Sequence, residues 1–211
     1  MTTKPTSAET ERIRDLYDAE ASGYDREIAF FEKVLFAGGR EWVCSRARGD
    51  VLELAAGTGR NFAHYPADVR LTAIELSPAM LDLARLRARD AGREVDLRLG
   101  DAHALQFPDE SFDTVTCTLA LCTIPDDRTA IAEARRVLRP GGRLLLLEHV
   151  RSPRRTIRAV QRLLDPLAVR FKADHLAREP LEHLTAQGFA IDELQRSKLG
   201  IVERVAARKP A

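Results

Sequence analysis

The segment Val51-Leu52-Glu53-Leu54-Ala55-Ala56-Gly57-Thr58-Gly59-Arg60-Asn61-Phe62 constrains this chain more than any other. It reads as a short apolar strand, a tight glycine turn and the start of a helix, the unit with which open α/β folds bring backbone to a ligand. In the G-x-G-x-x-G register the third glycine would fall on Phe62, so the dinucleotide fingerprint fails. Glu53 stands four residues before the first glycine. A carboxylate beside a phosphate is repulsive, so the ligand expected here is not an anion at that point.

Strands and helices alternate onward from this turn. Residues 71–76, 95–99, 112–119 and 143–150 read as further strands, the last a near-continuous apolar run of the kind buried on both faces. Ser77-Pro78 opens a helix to about Ala91, stopped by Gly92, with serine as cap and proline in the first turn. Asp126-Asp127 opens another, expected to end at Pro140-Gly141-Gly142. Two closing strands, 189–194 and 201–206, flank a polar turn at Ser197-Lys198 and are expected to pair antiparallel at the sheet edge. Ahead of the glycine turn, residues 9–21 show helical spacing with a stop at Ser22-Gly23, and Ile28, Phe31, Val34 and Leu35 form a second stripe. The first residues are small and polar and are expected to fray. The expectation is one α/β domain over residues 1–211. It comprises a helical N-terminal cap (1–48), a ligand-binding core (49–150), and a substrate-side lid with closing strands (151–211). Its sheet is Rossmann-like, seven-stranded and mostly parallel.

Composition removes several classes. Thirty-three basic against 32 acidic residues leave a charge of +1, which argues against a protein that coats nucleic acid. No apolar run approaches the ~18 residues of a membrane span. Three cysteines without a C-x-x-C pair argue against a disulfide scaffold or zinc knuckle, and no metal site is expected. With no apolar stretch in MTTKPTSAET, the expected setting is soluble, reduced and cytoplasmic.

Two more acids follow strands. Glu75 can accept from ribose hydroxyls, and Asp101, in Gly100-Asp101-Ala102, from an adenine amino group. Three acids around a glycine loop describe a cationic adenosine compound, and S-adenosylmethionine, with its ammonium and sulfonium, fits. The motifs Glu53 to Gly59, Ile74-Glu75-Leu76-Ser77-Pro78-Ala79-Met80, Gly100-Asp101-Ala102, Phe112-Asp113 and Leu138-Arg139-Pro140-Gly141-Gly142 resemble, in order, those of class I SAM-dependent methyltransferases. Cys117-Thr118-Leu119-Ala120-Leu121-Cys122 with Leu147-Glu148-His149-Val150 is similar to a narrower branch of quinone-biosynthesis (UbiE-like), phospholipid N- and thiol S-methyltransferases. Leu164-Asp165-Pro166-Leu167 and Asp174-His175-Leu176 resemble the tail of its thiol-methylating members.

The resemblance implies that Gly57 and Gly59 approach the methionine part, with Glu53 near its ammonium. Ala55, Thr58 and Asn61 of the same loop join the cofactor set. Glu75 would hold the ribose, Asp101 and Ala102 the adenine, and Leu76 and Met80 would flank the adenosine. Thr118 would meet the methionine through its backbone, and Tyr24 would close over the cofactor. The expected reaction moves a methyl group to a small, lipophilic acceptor: a thiol, quinol carbon, amine head group or natural-product hydroxyl. His149 and His175 are the candidate bases. Two rival classes are a nicotinamide oxidoreductase, which wants the missing third glycine, and a SAM-binding module without turnover.

Between residues 151 and 172, Arg151, Arg154, Arg155, Arg158, Arg162, Arg170 and Lys172 face a lone Asp165. With Ile157, Val160, Leu164 and Leu167 on one face, this stretch reads as a solvated lid helix or as a peripheral contact with anionic lipid. Phe171 is its only stacking partner for a base, so no nucleic acid is expected.

Overall fold

The computed structural model describes residues 8–211, so the expected fraying of the first residues concerns a segment outside those described. In chain order the elements are α1 (Ala8–Val34), α2 (Gly39–Cys44), β1 (Asp50–Leu54), β2 (Arg70–Glu75), α3 (Pro78–Asp90), β3 (Asp96–Leu99) and β4 (Phe112–Thr118). They continue with α4 (Asp127–Val137), β5 (Leu138–His149), α5 (Arg155–Lys172), α6 (Pro180–Ala186), β6 (Ala190–Ser197) and β7 (Val202–Arg208). The strands form one sheet of order β3-β2-β1-β4-β5-β7-β6. The first five run parallel, while β7 pairs antiparallel with both β5 and β6. The closing pair therefore folds back: β7 lies inside and β6 forms the edge, where Asp192, Glu193 and Arg196 blunt further pairing.

Leu144, Leu145, Leu146 and Leu147 of β5 are all at most 1% exposed, as an apolar strand covered on both faces requires. Period-two pleating sends Leu144 and Leu146 into a core under α4 and α6, and Leu145 and Leu147 into the opposite core with Trp42, Phe62 and Tyr65. The same alternation on β1 places Leu52 and Leu54 in the first core and Val51 in the second. Glu53 thus shares the Val51 face, a carboxylate directed into a hydrophobic layer.

Three boundaries differ from the sequence reading. The helix opened by Asp126 ends at Val137, and β5 begins at once, so Pro140-Gly141-Gly142 lies within a strand that bends rather than in a helix stop. Gly141, at φ 78°, provides that bend. Second, α1 runs unbroken through Ser22-Gly23. Its inner face buries little beyond Thr10, Ile13 and Ala21, and polar ties hold it instead. Asp18 Oδ1 accepts from Ala79 N–H at 3.0 Å and from the Ser77 hydroxyl, at the start of α3. Asp25 accepts from the Thr58 hydroxyl at 2.7 Å and pairs with Arg87. Lys172 of α5 reaches Glu20 at 2.8 Å and Glu27 at 2.9 Å. These contacts override a local stop signal worth about 1 kcal/mol.

Third, α5 is turned opposite to an ordinary surface helix. Gln161, its one buried residue, faces the body and bonds the backbone of Val150, Ser152 and Leu176. Val160, Leu163, Leu164, Leu167 and Phe171 face outward, with Leu163 76% exposed. Phe30 and Phe31 of α1, one turn beyond the Glu27 that holds Lys172, are also exposed. No helix among the described residues is long and apolar enough to cross a membrane.

Two outcomes test the cap. Gly23→Ala raises stability by about 0.4–1 kcal/mol, since a Cβ there meets nothing within 4 Å and a helix interior prefers alanine. Asp25→Ala lowers it by about 1 kcal/mol and speeds hydrogen exchange across α1. Urea unfolding and amide exchange read both.

Candidate functional site

Sheet order reverses between β1 and β4, and their adjacent carboxyl ends open a cleft. The chain leaves β1 through Ala55, at φ 51°, and Gly57, at φ 57°, so the backbone arches away from the strand end. A Cβ on Gly57 would meet no atom within 4 Å, because the residue faces open cleft. Gly59 serves another purpose: at φ 79° its hydrogen faces the Phe62 ring, which a Cβ would meet at 2.4 Å. It is a turn and packing glycine, and it does not line the cleft.

The cleft spans about 860 Å³ with its open mouth included. Of the sequence-derived set, Tyr24, Ala55, Gly57, Thr58, Glu75, Leu76, Met80, Asp101, Ala102 and Thr118 line it. Glu75 is its anchor. Oε1 accepts from the N–H groups of Leu76 and Ser77, each at 2.9 Å, and Oε2 from Gly57 N–H at 2.8 Å. Burial lifts this carboxyl above its ordinary range against the pull of those three donors. A carboxylate has about four acceptor sites, so about one remains for a ligand hydroxyl. The expected grip on both ribose hydroxyls therefore has to share an oxygen or displace Gly57 N–H.

Asp101 Oδ1 receives His103 N–H and lies 2.9 Å from His103 Nδ1. His103 Nε2 accepts from Asp126 N–H at 3.1 Å, which assigns the ring proton to Nδ1. Burial works to raise the Asp101 carboxyl, but His103 outweighs it and holds the group below the ordinary range. An ionised acceptor is what an exocyclic amine needs.

Glu53 and Asn61 stand elsewhere than the resemblance implies. Neither lines the cleft. Glu53 lies behind it, taking Asn61 Nδ2 at 2.7 Å and the Tyr65 hydroxyl at 3.1 Å. Burial pushes its carboxyl up to about 7, partly offset by those bonds and by the nearby Arg40. Asn61 also turns its Oδ1 to Arg40 Nη1 at 2.9 Å, and the same Nη1 reaches Thr118 Oγ1 at 3.1 Å. Glu32 clamps Arg40 from the other side and also pairs with Arg60. The cation expected of a ligand beside Glu53 is thus already supplied by the protein. Arg40 lines the cleft and suits the carboxylate of an amino-acid ligand. Nothing local marks Arg40: it follows Gly38-Gly39 with no motif, and only folding brings α2 against the loop after β1. Tyr17, which meets Tyr24 edge-on at 6.3 Å between centroids, is a second lining residue that sequence reasoning missed.

Neither candidate base reaches the cleft wall. His149 Nε2 lies 2.8 Å from Asp174 Oδ1. Desolvation works to lower the His149 pKa, but Asp174 outweighs it and the group titrates above its ordinary value. Burial lowers that of His175. Beside His149, Glu148 Oε1 accepts from Ala120 and Leu121 N–H at 3.0 Å each, and burial raises its carboxyl to about 6.

A glycine loop with Glu75 and Asp101 lining a cleft at the switch point of a seven-stranded sheet with an antiparallel β7 is the arrangement of the Rossmann-like methyltransferase class. A family model described as a methyltransferase domain matches residues 52–146. The human thiol S-methyltransferase TMT1A is 32% identical over 82% of this chain and 72% of its own length. A demethylmenaquinone methyltransferase of Tropheryma whipplei is 33% identical over 88% and 80%. The phosphatidylethanolamine N-methyltransferase of Cereibacter sphaeroides is 36% identical over 55%, and the chain spans only 58% of its length. Among solved structures, geranyl diphosphate C-methyltransferase of Streptomyces coelicolor superposes with a TM-score of 0.75 at 14% identity, covering 97% of this chain and all of that one. The chain belongs to the class I S-adenosylmethionine-dependent methyltransferases, and S-adenosylmethionine is its cofactor.

Arg40→Ala should weaken S-adenosylhomocysteine at least tenfold while leaving adenosine, which lacks the amino-acid tail, unaffected; calorimetry reads both. Glu53 carries a pH signature. Its folded pKa of about 7 stands above the ordinary 4.5, so the unfolded chain releases this proton first. Stability from this group is full below about 4.5 and declines as pH rises to about 7. Glu53→Gln removes that decline, and the variant gains on the wild type by about 3 kcal/mol at pH 8 relative to pH 4.

Proposed function

We propose that the protein transfers the methyl group of S-adenosylmethionine to a small lipophilic thiol. The cofactor supplies an electrophilic methyl on a sulfonium, and the chain's residues position it. Tyr17, Tyr24, Ile13, Leu119 and Ile124 give the cleft an apolar side facing the helical cap. One observation carries the choice of acceptor: Glu75, Asp101 and His103 are the only carboxylate or imidazole groups among the described lining residues, and on this reading all three belong to the nucleoside. The tyrosines are no substitute, since burial pushes the Tyr24 phenol up to about 12 and Tyr17 well above its usual value. A thiol is a few per cent thiolate at pH 7 without help. A quinol carbon, a phenol or an ammonium must first lose a proton to a base. Alignment of acceptor and methyl alone can contribute about 7–11 kcal/mol. TMT1A, which aligns along most of the chain, is named for thiols, so the choice has a relative of that class beside the demethylmenaquinone-methylating one.

The acceptor's lipophilicity fits the exposed face of α5. Its outward apolar row is flanked by exposed Arg155, Arg162 and Arg170. That pairing of charge with apolar side chains suits an anionic bilayer surface, where each basic residue contributes roughly 1 kcal/mol.

With S-adenosylmethionine and a panel of alkyl and aryl thiols, quinols and amines, mass spectrometry should find methylated thiols. Quinol or amine products without thioether would refute the acceptor class. Anionic vesicles should sediment the protein at low salt and neutral vesicles should not; Leu163→Glu should abolish sedimentation. Concentration-dependent self-association without vesicle binding would instead assign the face to a second copy.

A further inference from the structure

Three residues from three parts of the chain meet at the carboxyl edge of the sheet, beside the cleft but outside its lining. Cys122 lies in the turn after β4, His149 ends β5, and Asp174 stands two residues past α5. A sulfur, an imidazole nitrogen and a carboxylate oxygen from these three lie within 4.8 Å of one another. The backbone secures the meeting: His175 N–H donates to Cys122 C=O at 3.0 Å, and Ala173 turns the chain out of α5 at φ 54°.

The polar atoms here are poorly satisfied. Among described residues, eight buried side-chain nitrogen or oxygen atoms lack a hydrogen bond, and four belong to this neighbourhood: Glu148 Oε2, His149 Nε2, Asp165 Oδ1 and Asp174 Oδ1. His149 Nε2 and Asp174 Oδ1 face each other as an ion pair at 2.8 Å, so the two atoms of this neighbourhood without any partner are Glu148 Oε2 and Asp165 Oδ1. Glu148, Asp165 and Asp174 all act electrostatically on His149, an acid excess that a protein interior rarely leaves uncompensated. Arg178, which acts on the neighbouring His175, is committed elsewhere. Arg178 donates to the carbonyls of Leu121, Ile124 and Pro125 and pairs with Asp127.

We propose that Cys122, His149 and Asp174 form a binding site for a zinc-class divalent cation. Thiolate, imidazole and carboxylate are the donor types that such an ion takes, and three protein ligands leave a fourth position for water or an exogenous donor. One thiolate and one carboxylate cancel its two charges, so the occupied site is neutral. Cys122 and His149 are then ligands, and the buried cysteine is more than packing. Thr123, next in the chain, lines the cleft, and Tyr17, another lining residue, interacts with both Cys122 and Asp174. The site thus stands behind the acceptor side, and it holds whichever acceptor the cleft takes.

The test uses the full chain, stripped with chelator and titrated with Co(II) and then Zn(II). One cobalt per chain, a near-ultraviolet thiolate-to-cobalt charge-transfer band and its loss on adding Zn(II) are expected. Cys122→Ser should abolish the band, Asp174→Asn and His149→Gln should weaken metal binding by at least the about 10–100-fold that loss of an outer-shell partner costs, and Cys44→Ser should leave the band intact. Binding of S-adenosylhomocysteine by each variant reports that it is folded, and it reads the methyltransferase assignment separately from the metal. No stoichiometric uptake by the wild type, or an unchanged band in folded Cys122→Ser, would overturn the proposal. If Cys122→Ser does not fold, an unchanged metal affinity in Asp174→Asn overturns it equally.

Discussion

The three backbone N–H groups gathered by the Glu75 carboxylate organise this molecule. They tie the glycine turn after β1 to the turn that begins α3, closing the floor of the cleft from two loops that share no covalent neighbour. Ser77, whose N–H is one of the three, caps α3 through Met80 N–H and donates its hydroxyl to Asp18 of the cap helix α1. Loop, helix start and cap thus depend on one buried acid. Its burial is costly, and the donors aimed at it offset that cost only because both loops hold their shape.

The cap follows a different logic. α1 hides little apolar surface and is held by carboxylates at its inner edge, each answering a donor on a cofactor-side loop or on α5. Such ties exchange with water more readily than a packed core, so α1 belongs to the low-stability end of the structure, as an element over a ligand site should. Thr58 takes part in both tasks: it lines the cleft, and its hydroxyl holds Asp25.

Two clusters of buried charge share the end of the sheet and have opposite balances. Around Glu53, the protein supplies Asn61, Tyr65 and Arg40, and the group is accounted for by its neighbours. Around Asp174 and Glu148, His149 is shared among several acids, Glu148 Oε2 has no donor, and Arg178 is committed to loop carbonyls and Asp127. Both clusters draw on the same strand ends, and the difference between them is what separates a self-contained core acid from a site awaiting a cation.

The alternation of strand and helix, the glycine turn, the serine-proline helix start and the acids at the ends of β2 and β3 are local patterns, and they were legible because periodicity and turn chemistry act over a few residues. Leu144 to Leu147 announced a doubly covered strand in the same way. Where local signals were weak, they misled: Ser22-Gly23 read as a stop that Thr58, Arg87 and Lys172 override from outside the helix, and Pro140-Gly141-Gly142 read as an end to a helix that had already become a strand. The partners of Glu53, the place of Arg40 in the cleft, the outward turn of α5 and the meeting of Cys122 with His149 and Asp174 had no sequence signature. Each joins residues tens of positions apart, and distance along a chain says nothing about distance across a sheet. The chain's own order of residues determines a methyltransferase core that binds an adenosine cofactor. Which charges meet behind that core is decided by strand order and helix docking, because a buried charge is set by whatever the fold brings within a few ångströms of it.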